Sequence, residues 1–186
     1  MSCLRQISLW LKKLKMAEKK PHTHAFIVCS NIFIRKDGKY LMIKRAADRK
    51  WMPNHAHTVG GKLDPNENPY ECALRELKEE AGITAKNIRL EVAYHEIAPY
   101  KKEPHNWLVF YFSGDYKSGK LKTKISEGEL VWLTPKELLE SKLHLSIKFV
   151  IKHVLNKKTG PVFGTLHYDD KNTVIRRKSR LSICEK

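Results

Sequence analysis

Apolar and polar residues alternate in short runs along most of this chain, and this pattern predicts a sheet. Residues 24–35 and 40–45 are rich in β-branched and aromatic side chains and flank the turn sequence KDGK, which is typical of a hairpin that enters a mostly buried sheet. A polar connection follows at 46–58; we expect its histidines to be surface or packed residues rather than metal ligands. Further strands are predicted at 87–97, 107–112, 129–133 and 160–168.

A different period, close to 3.6 residues, predicts a helix after this connection. Asn68 is a good N-cap, Pro69 suits the first helical position, and Glu71 completes a capping box. Gly82 is expected to end the helix in a left-handed conformation. At about 100° per residue, one face is expected to be buried and to contain Tyr70, Leu74, Leu77 and Ala81.

Two more helices are predicted in the last third of the chain. Thr134 and Pro135 begin the first of them, and its early turn holds Glu137. A longer helical pattern covers 146–155.

The predicted helix that begins after Asn68 has an acidic cluster on a second face. Glu76, Glu79 and Glu80 project together from it, and like charges at helical spacing destabilise a helix. The cluster is understandable if divalent cations neutralise it, because hard cations such as Mg²⁺ prefer oxygen ligands. Arg75 lies one turn before Glu79, so it can pair with that carboxylate and hold it in position.

Composition adds a preference for negatively charged partners. The chain has 186 residues, which suit one domain, and a net charge of +16. This charge suggests polyanionic partners, and nucleotides and nucleic acids both qualify, because charge alone does not distinguish them. We expect a nucleotide substrate and do not favour nucleic-acid binding. The four cysteines form no closely spaced pair, which indicates reduced thiols and a cytoplasmic protein; they are Cys3, Cys29, Cys72 and Cys184.

The two ends of the chain differ from its centre. Residues 1–20 have apolar positions at helical spacing among basic residues, but the apolar run is too short to span a membrane, so no stable membrane insertion is expected. Two interpretations stay open: a basic amphipathic targeting or membrane-surface helix, and a loosely ordered extension, which we favour. We expect the globular domain at 21–175 and a mobile basic tail at 176–186.

The segment 61–83 resembles the Nudix box, G-x5-E-x7-R-E-U-x-E-E-x-G-U, where U is aliphatic. Every fixed position is filled, by Gly61, Glu67, Arg75, Glu76, Leu77, Glu79, Glu80, Gly82 and Ile83. Nine constrained positions at fixed spacing are far more specific than a short glycine motif. The resemblance implies a Nudix-type α/β/α sandwich with a mixed sheet and a loop–helix–loop metal site. It also implies hydrolysis of a nucleoside diphosphate linked to another group.

The same resemblance implies roles for individual residues. Mg²⁺, for which Mn²⁺ can substitute, would be held by Glu76, Glu79, Glu80 and the Gly60 carbonyl, with Glu67 supporting this metal shell. Catalysis would involve Arg75, a general base that is Glu79 or Glu80, and Glu127 as a further ligand or base. The alternative for Glu127 is a plain turn residue. Substrate would contact Lys44, Arg45 and Lys62 through phosphates and Trp51 through the base; the alternatives are solubilising lysines and a packed ring.

Residues outside the box resemble the MutT-like branch of the family. A diffuse likeness across 26–168 favours an oxidised nucleoside triphosphate such as 8-oxo-dGTP, cleaved to the monophosphate and pyrophosphate. Val59 stands where many members of the family have proline. Pro99 and Tyr100 lie at distances from the box that resemble residues characteristic of the ADP-ribose and dinucleoside polyphosphate branches, respectively. ADP-ribose and dinucleoside polyphosphates therefore remain alternative substrates. An isopentenyl diphosphate isomerase lacks support because its cysteine motif is missing, and a non-catalytic nucleotide or nucleic-acid binder is disfavoured by the intact box.

Overall fold

The alternating apolar runs form one mixed sheet in a computed structural model that describes residues 25–50, 52–97, 105–156, 161–168 and 180–183. The predicted extension at 1–20 lies outside the described residues, as do Trp51, Pro99 and Tyr100. The strands of the sheet are β1 (Phe26–Lys36), β2 (Lys39–Arg45), β3 (Ala56–His57), β4 (Val59–Lys62), β5 (Ile83–Ile97), β6 (Asn106–Gly119), β7 (Lys124–Ile125), β8 (Gly128–Leu133), β9 (Val162–His167) and β10 (Arg180–Ile183).

The strand order places β1 and β6 at the centre of this sheet. Across it the order is β10-β9-β5-β6-β1-β2-β8-β7, with β3 beside β2 and β4 beside β1. Strands β1 and β6 run parallel, as do β5 and β9, and the other pairs are antiparallel. The sheet is therefore mixed, as predicted.

Strand alternation divides the core between the two faces of the sheet. On β1, Ile32 and Ile34 belong to one buried cluster and Phe33 to the other, because successive side chains of a strand point to opposite faces. One cluster packs against helix α1 (Pro69–Glu76) and the other against α2 (Pro135–Glu140) and α3 (Leu145–Leu155). Helices thus cover both faces, which confirms the α/β/α sandwich.

Helix α1 begins as its local sequence predicts. The Asn68 side chain accepts hydrogen bonds from the backbone N–H groups of Tyr70 and Glu71 at 2.9 and 3.1 Å, and the Glu71 side chain accepts one from the Asn68 N–H at 2.9 Å. A π-helical turn, Leu77–Ala81, continues the helix, and Gly82 ends it with a φ of 74°. The capping box and the end of the helix are confirmed.

The buried face of α1 differs from the prediction. Leu77 and Ala81 are fully buried, but Tyr70 is 45% exposed and Leu74 is half-buried. The buried residues within α1 are instead Cys72 and Ala73, because the helix turns this face toward β1 and β4. The Tyr70 ring lies at the margin instead, edge-on to Phe112 with 6.0 Å between ring centroids.

Three boundaries also differ, because strand pairing extends the local pattern. Strand β5 begins at Ile83, directly after the helix, and β6 continues through the turn-rich sequence at 114–120 as far as Gly119. Ile83 and Gly119 are register partners, so the first residue of β5 pairs with the last residue of β6. Within the predicted mobile tail, Arg180–Ile183 pairs with β9 as an edge strand.

Helix α2 begins at the predicted Thr134–Pro135, where the Thr134 and Glu137 side chains form a capping box by bonding reciprocally to the backbone. Helix α3 agrees with the predicted helix at 146–155 to within one residue. Among the described residues, none of the helices is long and apolar enough to cross a membrane.

Candidate active site

Arg75 lies at the centre of the acidic face of α1 and joins three carboxylates. Its guanidinium donates to Glu67 at 2.7 Å, to Glu76 at 2.9 Å and to Glu79 at 3.1 Å. A second bond, from Nε, reaches the other oxygen of Glu67 at 3.0 Å. These bonds lower the pKa of Glu67 to about 2, and they raise the pKa of Arg75. Arg75 therefore offsets the repulsion between the acids and fixes their positions.

Glu80 is held differently, by the backbone of β4. One of its oxygens accepts the Gly60 N–H at 3.3 Å. Burial raises the pKa of Glu80 to about 7 and also raises that of Glu76, because desolvation disfavours the charged form. Glu76 and Glu80, the two acids beside β4, are therefore the box acids whose charged form is disfavoured by burial.

The β4 backbone approaches these acids so closely that glycine is required at one position. A Cβ at Gly61 would lie 2.1 Å from Oε1 of Glu76. The carboxylate of Glu76 therefore sits directly over the main chain. This close approach depends on the absence of a side chain at Gly61.

The donor set of this acidic face fits a hard divalent cation. Four carboxylates, from Glu67, Glu76, Glu79 and Glu80, meet at one loop–helix junction, and such cations prefer oxygen ligands. In the described part of the chain, no three acidic, His or Cys side chains already converge as a metal cage. Three of the four acids bond Arg75 instead. The site therefore offers suitable oxygen donors in an arrangement held by Arg75.

A pocket of about 440 Å³ lies beside the junction. Gly60, Gly61 and Lys62 of β4 form one side of it. Its other walls come from β1, β3, β5, β6, the ends of β2 and α3 and the loop before β8, through Cys29, Asn31, Arg45, His57, Glu96, Trp107, Val109, Tyr111, Glu127, His144 and Ser146. The same backbone segment thus borders both the acidic face and a cavity.

An ion pair fixes the wall of the pocket near β2. Buried Arg45 donates from Nη1 to Oε2 of Glu127 at 2.5 Å. The Glu127 carbonyl also accepts the Ala46 N–H at 3.0 Å. The loop before β8 is therefore tied to the end of β2 by both side chain and backbone.

The wall formed by α3 is polar but uncharged. His144 Nδ1 accepts the Ser146 N–H at 3.3 Å and lies 2.6 Å from the Ser146 hydroxyl, which is 3.0 Å from the Tyr111 hydroxyl. Burial lowers the pKa of His144 to about 2 and also lowers that of His57. Both imidazoles are therefore neutral near pH 7 and offer hydrogen bonds rather than positive charge.

Comparison with known proteins shows the family. The profile described as NUDIX domain matches residues 25–154. The chain belongs to the Nudix family. The nucleoside triphosphatase NudI from Escherichia coli O17:K52:H18 is 28% identical over 135 residues, which are 68% of this chain and 93% of that protein.

Solved structures agree with this membership in the Nudix family. A crystal structure of the MutT protein from Bacillus halodurans has a TM-score of 0.73 and 25% identity, covering 84% of this chain and 98% of that one. The NUDIX domain of Shewanella oneidensis NrtR, crystallised with ADP ribose, covers 80% of this chain and 98% of that one, with a TM-score of 0.60. At 14% identity it shows the likeness of fold alone. With the complete Nudix box, these comparisons make the protein a Nudix hydrolase.

The structure brings most of the residues predicted for the Nudix site together. Gly60 and the box residues Glu67, Arg75, Glu76, Glu79 and Glu80 meet at the junction, and Arg45, Lys62 and Glu127 line the pocket. Lys44 is exposed and lies outside the pocket, because neighbouring residues on a strand point to opposite faces and Arg45 points inward. The prediction for Trp51 falls outside the described residues.

Sequence reasoning missed the deeper lining of the pocket. Glu96, Trp107 and His144 come from separate elements and carry no short motif. Glu96 did have a usable signal, since it is an acid within an apolar strand. A buried acid in such a position needs partners or a function, and it marks a candidate site residue.

Proposed function

We propose that this Nudix hydrolase cleaves a phosphoanhydride bond of a nucleoside triphosphate and releases the monophosphate and pyrophosphate. The observation that carries the proposal is the complete Nudix box, folded so that its acids lie against the β4 backbone that also lines a pocket of about 440 Å³. The similarity to a nucleoside triphosphatase and to a MutT protein supports it. Among triphosphates, an oxidised guanine nucleotide such as 8-oxo-dGTP is the finer candidate.

The acidic face is the proposed site for Mg²⁺, with Mn²⁺ as a substitute. Glu76, Glu79, Glu80 and the Gly60 carbonyl would hold the ion, and Glu67 would support them. When bound, the ion supplies positive charge that stabilises the phosphate oxygens and lowers the pKa of a bound water. Arg75 keeps the acids oriented through the bonds to Glu67, Glu76 and Glu79.

Glu80 is the proposed general base. Glu79 accepts a hydrogen bond from cationic Arg75, which reduces its tendency to take a proton, whereas Glu80 accepts one from the neutral Gly60 N–H. A proton taken from the attacking water would be held on the Glu80 carboxylate. Glu127, held by Arg45 in the pocket wall, is proposed as a further ligand or base.

Lys62 is the proposed cationic contact for the substrate. It lines the pocket next to Gly61, and its ammonium lies 5.3 Å from the centroid of the Trp107 ring. Arg45 has a different proposed role, since its buried guanidinium already pairs with Glu127 and positions that acid.

A substrate panel with Mg²⁺ tests the function directly. Each nucleoside triphosphate, 8-oxo-dGTP, ADP-ribose and a diadenosine polyphosphate would be incubated with the protein and the products separated by ion exchange. We expect pyrophosphate and the monophosphate from a triphosphate. Release of orthophosphate, or turnover confined to ADP-ribose or the diadenosine compound, would refute the proposed reaction.

Two matched variants test the site. Glu80→Gln should lower kcat at least ~10²-fold, because the proposed base is lost together with a charged ligand of the ion that stabilises the transition state. Glu140→Gln makes the same change on an exposed residue at the end of α2 and should leave kcat unchanged. Equal rates for the two variants would show that the acidic face is not the catalytic centre.

A further inference from the structure

Glu96 and Trp107 form a pair in the pocket wall, and the Lys62 ammonium lies 5.3 Å from the centroid of the Trp107 ring. Glu96 and Trp107 are register partners on β5 and β6, and both line the pocket. Partners directly across two strands have adjacent side chains on one face of the sheet. The pair therefore combines an acid with a large aromatic ring in one wall.

The spacing along β6 separates this pair from the acidic end of the pocket. Tyr111 is partnered by Asn31 on β1, and Asn31 by Gly60 on β4, whose N–H bonds Glu80. Trp107 and Tyr111 are four residues apart on one strand, which corresponds to about 13 Å. An extended nucleotide has a comparable length, with its phosphates at one end and its base at the other.

The Glu96 carboxylate is buried yet still able to accept hydrogen bonds from a ligand. Only 5% of the residue is exposed, and Oε1 accepts the hydroxyl of Tyr168 at 2.9 Å. Two carboxylate oxygens provide about four acceptor positions, so the hydroxyls of Tyr168 and Tyr94, which both act on this carboxylate, leave room for two donors from a ligand. The reaction proposed above makes no use of this acid, and its burial is costly without such partners.

We propose that Glu96 selects the nucleobase by accepting two N–H groups from the Watson–Crick edge of guanine while the base lies against Trp107. Guanine presents adjacent donors at N1 and the 2-amino group. Adenine places the acceptor N1 beside its amino group, so one carboxylate oxygen would face a lone pair. Oxidation at C8 leaves the N1 and 2-amino donors unchanged, so Glu96 would bind oxidised and ordinary guanine alike.

This inference rests on the proposed function for its nucleotide substrate, but binding tests it without catalysis. GMP and AMP would be titrated calorimetrically into the full-length protein in EDTA at pH 8. We expect GMP to bind at least ~10-fold more tightly than AMP, because buried groups that lose their hydrogen-bond partner disfavour a ligand strongly. Equal affinities, or no binding of either nucleotide, would overturn the inference.

The variant Glu96→Gln separates a specificity role from a structural one. Glutamine keeps the size and can still accept the Tyr168 hydroxyl, but it offers one acceptor and one donor, which match adenine. The GMP-to-AMP ratio should fall at least ~10-fold, by the same loss of a buried hydrogen-bond partner. Glu129→Gln, on an exposed position of β8, should leave the ratio unchanged. If the ratio survives in Glu96→Gln, Glu96 does not read the base.

Two further measurements keep the inference separate from folding and from the reaction. Should Glu96→Gln fail to fold, Glu96→Asp keeps the charge but withdraws it by one methylene, and the ratio should again fall; an unchanged ratio would overturn the inference. If GMP is preferred but no triphosphate is hydrolysed, the proposed function fails and the base selection stands.

Discussion

The variant Gly61→Ala tests whether the position of the Glu76 carboxylate matters. The added Cβ would lie 2.1 Å from Oε1 of Glu76, whereas ordinary contacts begin at 3.4 Å, so the carboxylate must move by about 1.3 Å. A misplacement of about 1 Å at a reacting group can reduce the rate roughly 100-fold. We therefore expect kcat/KM to fall by about that factor. The fold should survive within about 1 kcal/mol, because the crowded neighbour is the end of a flexible side chain.

Gly38→Ala is the matched control for this change. Gly38 lies in the β1–β2 turn with a φ of 75°, and a Cβ added there would have no other heavy atom within 4 Å. An alanine at this position is strained by roughly 1–2 kcal/mol, but it crowds nothing. It should therefore lower the free energy of unfolding while leaving kcat/KM unchanged.

Steady-state pyrophosphate release and urea unfolding would be measured for both variants. The expected result is a crossed pattern, with activity lost at Gly61 and stability lost at Gly38. The reasoning fails if Gly61→Ala retains kcat/KM within about threefold of the parent, because a roughly 100-fold loss is expected from the displacement.

Four other outcomes are expected. Leu77→Ala should cost ~2–5 kcal/mol of stability through a buried cavity, while kcat per folded molecule changes little; a large loss of kcat would assign Leu77 to the site. Turnover should need added Mg²⁺ or Mn²⁺, so full activity in excess EDTA would contradict the metal site. Burial raises the pKa of Glu96 from its ordinary value of 4.5 to about 7, so its contribution to stability is present below pH 4.5 and is lost as the pH rises to about 7. Glu96→Gln should flatten that fall in urea titrations, and an unchanged slope would show that Glu96 does not cause it. Deleting residues 1–15 should leave activity and Tm nearly unchanged, since the family match begins at residue 25; a large drop in Tm would show that they pack on the domain.

Local sequence determined the central helix and its chemistry. Asn68, Pro69, Glu71 and Gly82 interact with groups only a few residues away, so capping could be predicted without the rest of the fold. The spacing of the box likewise placed its acids on one face. The pairing of Arg75 with Glu79 followed from the separation of one helical turn.

Tertiary packing decided which face of that helix is buried. Helical period alone grouped Tyr70 with Leu77, but packing against the sheet buries Cys72 and Ala73 and leaves Tyr70 at the margin. The bonds from Arg75 to Glu67 also depend on the path of the loop before the helix. The helical period of a sequence does not specify how the helix packs against the sheet, so it could not show which of these side chains is buried.

The pocket was decided by strand register and by chain connections. Glu96, Trp107 and His144 share a cavity because β5, β6 and α3 meet there, although their local sequences contain no common motif. Register depends on the summed packing of whole strands, and a shift of one residue would turn Glu96 to the opposite face. The sequence by itself therefore determined the family and the acidic helix, whereas tertiary structure determined the cavity that the substrate is proposed to enter.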